Sequence, residues 1–205
     1  MFYKRLKDSV ENSHKKTLKR GEIIYHEGDH PEGLYFVKEG LVGLFHVAEN
    51  GKETFLRVFS KDCIFGHRSY FAETPYHASS VALTKTELVI ISKEECHKIC
   101  ENRPDLLKEL LKMLAKDLGE AELRMAGLQD KTANARIVES LVFLKLKYPN
   151  QVWTRKEIAE YSGSTFETVT RVMTSLSEKG LIKKEGRDFK IFDPENLLSF
   201  SSVEY

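Results

Sequence analysis

The chain has 205 residues, of which 41% are hydrophobic and 31% charged, and its formal net charge is +1. That length suits one large or two modest globular domains. No run approaches the ~20 apolar residues that span a bilayer, and residues 1–20 lack the apolar stretch of a signal peptide, so a cytoplasmic protein without a membrane partner is expected.

Charge is informative in its distribution. Residues 1–20 carry seven Lys or Arg (Lys4, Arg5, Lys7, Lys15, Lys16, Lys19 and Arg20) against Asp8 and Glu11. Basic clusters can hold a phosphate backbone, although each alone is also an ordinary solvated face. Residues 21–92 read as β-structure. "EIIYHEGDHPEGLYFVKEGLVGLFHV", "TFLRVF" and "SSVALTKTELVIIS" are short apolar runs separated by Gly turns, and Asn50-Gly51 is the dipeptide of a two-residue hairpin turn. Many short strands of this kind suggest a sandwich or jelly roll. Three cysteines, Cys63, Cys96 and Cys100, argue against a disulfide framework, and the i, i+4 pair in "CHKIC" does not complete a zinc site.

Helix begins near residue 93, and Pro104 suits the first turn of a long one. After it Leu107, Leu111, Leu114, Leu118, Ala121, Met125 and Leu128 recur at spacings of 4, 3, 4, 3, 4, 3. That heptad seam packs two helices side by side. It is read as one edge on the sandwich and the seam on a second copy, with a purely intramolecular stripe as the alternative. The pattern lapses at Gln129–Lys131, which divides the chain into a sandwich (1–102), a dimerisation helix (103–130) and a C-terminal domain (131–205).

In that domain "ANARIVESLVFLKLKY" resumes helix and "PNQVW" breaks it, with room for a short strand. "TRKEIAEYSG" carries a capping box, Thr154 with Glu157, and ends at Gly163. A second helix starts at Ser164 or Thr165. "GLIKKEGRDFKIFD", which holds the basic Lys183, Lys184 and Arg187, reads as a β-hairpin, or wing, turning near Gly186. Helix, Gly turn and helix make a helix-turn-helix. Val169, Val172, Met173 and Leu176 form the inner stripe of the second helix. Thr165, Phe166, Glu167, Thr168, Thr170, Arg171 and Thr174 lie at its start or on its outer face. In a major groove Arg171 can give two hydrogen bonds to guanine, Glu167 can accept from a cytosine amino group, and Thr170 offers a methyl to thymine and a hydroxyl to a base or phosphate. The competing reading is an i, i+4 pair of Glu167 with Arg171, worth only ~0.3–0.5 kcal/mol, or Glu167 answering Ser164 as a cap.

A glycine-turned sandwich, a long helix opening at "ENRPDLL" and the C-terminal "TRKEIAEYSGSTFETVTRVMTSLSEKGLI" together resemble the Crp/Fnr family of bacterial transcription regulators, from about Leu18 to about Phe192. The resemblance implies an α+β protein with a cyclic-nucleotide-binding-like sandwich and a winged helix-turn-helix. It implies a homodimer on double-stranded DNA, with RNA polymerase as a further partner. It gives Glu167 and Arg171 the DNA-reading role. The cyclic AMP receptor protein has another Arg before the Glu; here Phe166 stands there. "TFETVTR" is nearer to the Fnr-type "TVETISR", which implies TTGA-like half-sites.

The ligand segment of cyclic-nucleotide-binding members corresponds here to "FGHRSYFAETPYHASSVA", giving Gly66, His67, Arg68, Ser69, His77, Ala78 and Ser79 as pocket candidates. His67 replaces the Glu that takes the ribose and His77 the Arg that takes the phosphate, so cyclic AMP is not expected. Ala121 and Glu122 replace hydroxyl residues that would reach the purine. His67 is then a polar group at the pocket mouth, and Arg68 is an ordinary surface residue or a weak anion site. No cysteine precedes Cys63, which argues against the iron–sulfur cluster of Fnr. A haem like that of the carbon-monoxide-sensing members would use His67, but Phe65 holds its Cys position and Cys63 lies two residues early. Histidines 26, 30, 46, 67, 77 and 97 raise a metal-binding jelly-roll enzyme as a remote alternative, although no His-x-His pair supports it.

Overall fold

In the computed structural model, which describes Leu6 and residues 13–204, the described residues of the sandwich form the strands β1 (His14–Leu18), β2 (Ile23–Tyr25), β3 (Gly33–Glu39), β4 (Leu41–Val47), β5 (Glu53–Ser60), β6 (Ile64–Phe65), β7 (Ser79–Ala82) and β8 (Thr86–Ser92). They form two antiparallel sheets, ordered β1-β8-β3-β6 and β2-β7-β4-β5. Lys4, Arg5, Lys7, Asp8 and Glu11 lie outside the described residues.

Successive residues of a strand face opposite sides, and β3 buries both. Tyr35 and Val37 join Tyr25, Val42, Phe59, Phe65 and Leu88 in one core. Leu34 and Phe36 join Val89, Ile91, Cys96 and Leu106 in another. That is why "GLYFV" is a continuous apolar run. A short helix, α1 (His67–Ala72), lies between Gly66 and Glu73, both with left-handed backbones. The β4–β5 hairpin differs from the expected two-residue turn. Ala48 N–H donates to Lys52 O at 3.0 Å, leaving a three-residue loop. Gly51 has φ 76°, whereas Asn50 does not take the positive φ that a type I′ turn also demands.

Helix α2 (Lys93–Asn102) opens on a capping box of Ser92 with Glu95. Helix α3 (Pro104–Asp130) is long, and no described helix is long and apolar enough to cross a membrane. The chain divides into two compact units, residues 1–119 and 120–205. The second unit contains α4 (Ala133–Lys147), α5 (Arg155–Ser162), α6 (Phe166–Glu178), the hairpin β9 (Ile182–Glu185) and β10 (Asp188–Ile191), and α7 (Pro194–Glu204). Ile137, Leu141, Leu144, Ile158, Val169 and Leu176 are fully buried in it. Between α4 and α5 the chain makes no strand; Gln151 and Trp153 are buried in an irregular link.

Candidate nucleic-acid interface

Helix α5 starts at Thr154, whose side chain accepts from Glu157 N–H while the Glu157 carboxylate accepts from Thr154 N–H. It stops at Gly163, whose φ of 65° lets the chain turn where a β-carbon would meet Leu128 Cδ2 at 3.2 Å. Thr165 caps α6 by accepting from Thr168 N–H at 3.2 Å, so the helix begins at Phe166 and Ser164 has no capping role.

The turn is held from outside as well. The Arg124 guanidinium donates to Tyr161 O and lies 4.4 Å from the centre of its ring. Tyr161 in turn stacks on Phe143 at 5.6 Å. Arg136 donates to Ser162 O at 3.2 Å and to Gly163 O at 3.5 Å. Two cations therefore serve the C-terminal carbonyls of α5, where the helix dipole is negative.

Val169, Val172 and Leu176 face inward and are buried, and Met173 beside them is half-buried. Phe166, Glu167, Arg171 and Thr174 are exposed. Glu167 and Arg171 do not pair: neither makes an ion pair or a side-chain hydrogen bond among the described residues. The intrahelical pair that would have explained them is absent there, and both heads are available to a ligand. The threonines depart from expectation. The Thr170 hydroxyl is buried without a partner, so the exposed part of this residue is not its oxygen. Thr165 and Thr168 hydroxyls lie 3.0 Å apart in one hydrogen bond, and Thr174 donates back to Thr170 O at 2.9 Å.

The wing turns through Gly186 and Arg187, with Glu185 opposite Asp188. It is anchored by Lys145, which donates to Asp188 at 2.7 Å and lies 5.1 Å from the Phe189 ring centre. Lys183, Lys184 and Arg187 are exposed on it.

On α3, Leu106 and Leu110 are buried and Met113 packs on the outer core of the sandwich. The neighbouring seam stays open: Leu111 is 65% exposed, Leu118 61%, Met125 60% and Leu128 48%. Ala121 is also exposed, and Leu107 and Leu114 are half-buried. Leu107 shares an apolar pocket with Leu34, Ile99 and Cys100, so the first seam position serves its own sandwich.

Inside the sandwich the pocket candidates behave differently from one another. His67 is buried, 5% exposed, rather than at a mouth, and its Nδ1 has no partner. Burial, followed by the charges of Arg57 and Arg68, pushes it down to about 4. Both ring nitrogens of His77 are buried without partners; burial and then Arg68 push this imidazole down to about 4 too. Ala78 is buried. Ser69 donates to Pro75 O at 3.1 Å, and the Ser79 hydroxyl accepts from Glu27 N–H at 2.9 Å. Arg68 is exposed. Tyr25 stacks on Tyr76 with ring centres 3.6 Å apart, and Tyr35 on Phe65 at 5.1 Å. Among the described residues, no three His, Cys, Asp or Glu converge as a metal-ligand set.

Residues 15–103 match the family profile described as the cyclic nucleotide-binding domain, and residues 135–200 that of the Crp-like helix-turn-helix domain. The chain is 28% identical over 195 residues to the transcriptional activator protein anr of Pseudomonas aeruginosa, covering 91% of this chain and 80% of that one. It is 41% identical over 106 residues to an uncharacterised protein of Haemophilus influenzae, covering 52% of this chain and 82% of that one. Among solved structures, a transcriptional regulator of the CRP/FNR family from Thermus thermophilus matches with a TM-score of 0.78 at 26% identity, over 94% of this chain and 100% of that one.

Proposed function

The chain belongs to the Crp/Fnr family of transcription regulators, and from that premise we propose that it acts as a homodimer on a DNA palindrome with TTGA-like half-sites, without cyclic AMP. A DNA-binding regulator of this type needs a reading helix with free polar heads. The observation that carries the reading is the unpaired Glu167 and Arg171 on the open face of α6. Arg171 serves a guanine edge and Glu167 a cytosine amino group. Lys183, Lys184 and Arg187 of the wing serve phosphates, which sets register and salt dependence. The exposed Leu118 and Met125 are the natural seat of a second copy, and a dimer addresses two half-sites. RNA polymerase is the further partner, in the cytoplasm where the DNA lies, and no catalytic step is assigned to the chain.

Independence from cyclic AMP rests on chemistry. A cyclic phosphate needs a cation and a ribose needs a carboxylate. His77 and His67, which hold those positions, are both neutral near pH 7. Haem does not fit either: Phe65 is wholly buried in the aromatic core at the thiolate position. A second reading is favoured by the orphaned nitrogens of His67 and His77. Buried polar atoms without partners call for one, and a small uncharged hydrogen-bonding ligand would supply it.

Selection of bound sites from random duplexes by the purified full chain tests the main reading. Recovery of an inverted repeat, with affinity unchanged by added cyclic AMP, supports it. Uniform binding of all duplexes at moderate salt refutes it. A gain in affinity with a fraction of small molecules from cell extract moves the choice to the second reading.

A further inference from the structure

We infer that Lys145 serves DNA binding by cancelling the Asp188 carboxylate, which would otherwise repel phosphates from the wing. The inference rests on the phosphate-holding role proposed above for the wing. The hairpin sets Lys183 opposite Lys190 and Glu185 opposite Asp188. Cross-strand partners share a face of the ribbon, so this face carries two lysines beside two carboxylates and is neutral on its own. A face without net positive charge has little to offer a phosphate backbone. Glu185 and Asp188 also stand directly opposite each other, which is unfavourable for like charges.

Lys145 changes that sum from outside the hairpin. It lies in the last turn of α4, and its ammonium is 2.6 and 2.7 Å from the two Asp188 oxygens. It also donates to Gln151 O at 3.3 Å. The Lys145 side chain is 12% exposed, against 30% for Asp188. Its own charge is therefore withheld from DNA, and its effect on DNA passes through Asp188. What the wing then shows is Lys183, Lys184, Arg187 and Lys190, all exposed, against Glu185 alone. Lys145 is thus a positioning residue that sets the charge of the wing without touching a phosphate.

The test measures the salt dependence of binding to the palindrome recovered from random duplexes. It compares the full chain with Lys145→Met, Lys145→Arg, Asp188→Asn and the double variant Lys145→Met/Asp188→Asn, and Trp153 fluorescence checks that each is folded. Lys145→Met bares the Asp188 carboxylate. At low salt it should weaken binding about fivefold per wing, the value of one unit-charge pair at contact in water. It should also flatten the log–log salt slope by ~0.9 per wing, as for one lost phosphate, with the recovered sequence unchanged. The double variant should regain the wild-type slope, because no carboxylate is left to cancel, and Lys145→Arg should keep it. Asp188→Asn alone should bind at least as tightly as the wild type, and it decides the matter if Lys145→Met does not fold. A double variant as weak as Lys145→Met, or an Asp188→Asn protein weakened like it, makes the pair a mechanical anchor and overturns the inference. A Lys145→Met protein that binds like the wild type overturns it too. If joint replacement of Lys183, Lys184 and Arg187 by Ala leaves the slope unchanged, the wing holds no phosphates and the underlying reading fails instead.

Discussion

Replacing His67 by Leu tests whether the sandwich holds a buried neutral imidazole where a nucleotide-binding relative would hold a charge. His67 is buried and its ring is pushed down to about 4, chiefly by burial and then by Arg57 and Arg68. The unfolded chain takes up the proton at about 6.5. Above that pH both states are neutral and the residue has no pH-dependent effect. As pH falls from about 6.5 toward 4, the unfolded chain gains a proton that the folded sandwich refuses, so folded stability is lost through that window. At pH 4.5 the loss comes to roughly 2–3 kcal/mol. Leu cannot titrate, so the variant should gain about that much relative to the wild type between pH 7.5 and pH 4.5. Any constant effect of the substitution cancels in this difference. Calorimetric unfolding of the full chain at both pH values measures it, and the imidazole proton resonance of His67 reports its titration directly. Parallel pH profiles for the two proteins, or a His67 midpoint near 6.5 in the folded protein, would refute the reasoning.

Arg171→Ala should lower affinity for the palindrome by ~1–3 kcal/mol and relax selection at one guanine; equal weakening on all duplexes would make Arg171 a phosphate clamp instead. Leu118→Lys places a charge in the exposed seam and should shift the protein to monomer in sedimentation while abolishing tight palindrome binding, so a fully active monomer contradicts the dimer reading. Joint replacement of Lys183, Lys184 and Arg187 by Ala should flatten the salt dependence of binding by ~0.9 in log–log slope for each phosphate deprived of its cation, without changing the preferred sequence. Gly163→Val forces a branched side chain into a left-handed backbone 3.2 Å from Leu128 and should destabilise the second unit by at least ~1 kcal/mol. The fluorescence of Trp153, which is buried in that unit, follows its unfolding.

Elements with repeated local signals are legible in the sequence, and those set by tertiary packing are not. The long helix behind the heptad spacing, the Thr154–Glu157 box and the Gly163 stop are each written in residues a few positions apart, and these three form in the structure. β1 escapes a reading of the sequence because His14–Thr17 are exposed and carry no alternation; the strand exists by pairing with β8 from the far end of the sandwich. β6 is two residues long, and α1 is six residues set between two left-handed positions. Among the described residues of α7, Leu197 is fully buried, and there is little periodicity to announce the helix. The Asn50-Gly51 turn shows the limit of a dipeptide rule, since Gly51 alone takes the unusual backbone and the loop widens to suit it.

The reading face divides along the same line. Spacing alone puts Glu167 and Arg171 on one side of α6, because helical period fixes direction. Whether their charges are already spent depends on rotamers, and the unpaired heads favour a partner outside the chain. The threonine hydroxyls go the other way, each taken by a neighbour or buried. Of these only the Thr170 hydroxyl is withdrawn from the surface, whereas Thr174, having donated to Thr170 O, keeps its lone pairs for an outside donor. Two heads of opposite charge make a more selective surface than a uniformly basic one. Positive charge alone would fasten on phosphates everywhere, whereas a carboxylate beside it is repelled by phosphates and gains only where a base edge offers a donor. Selectivity on this helix therefore depends on what Glu167 refuses as much as on what Arg171 accepts.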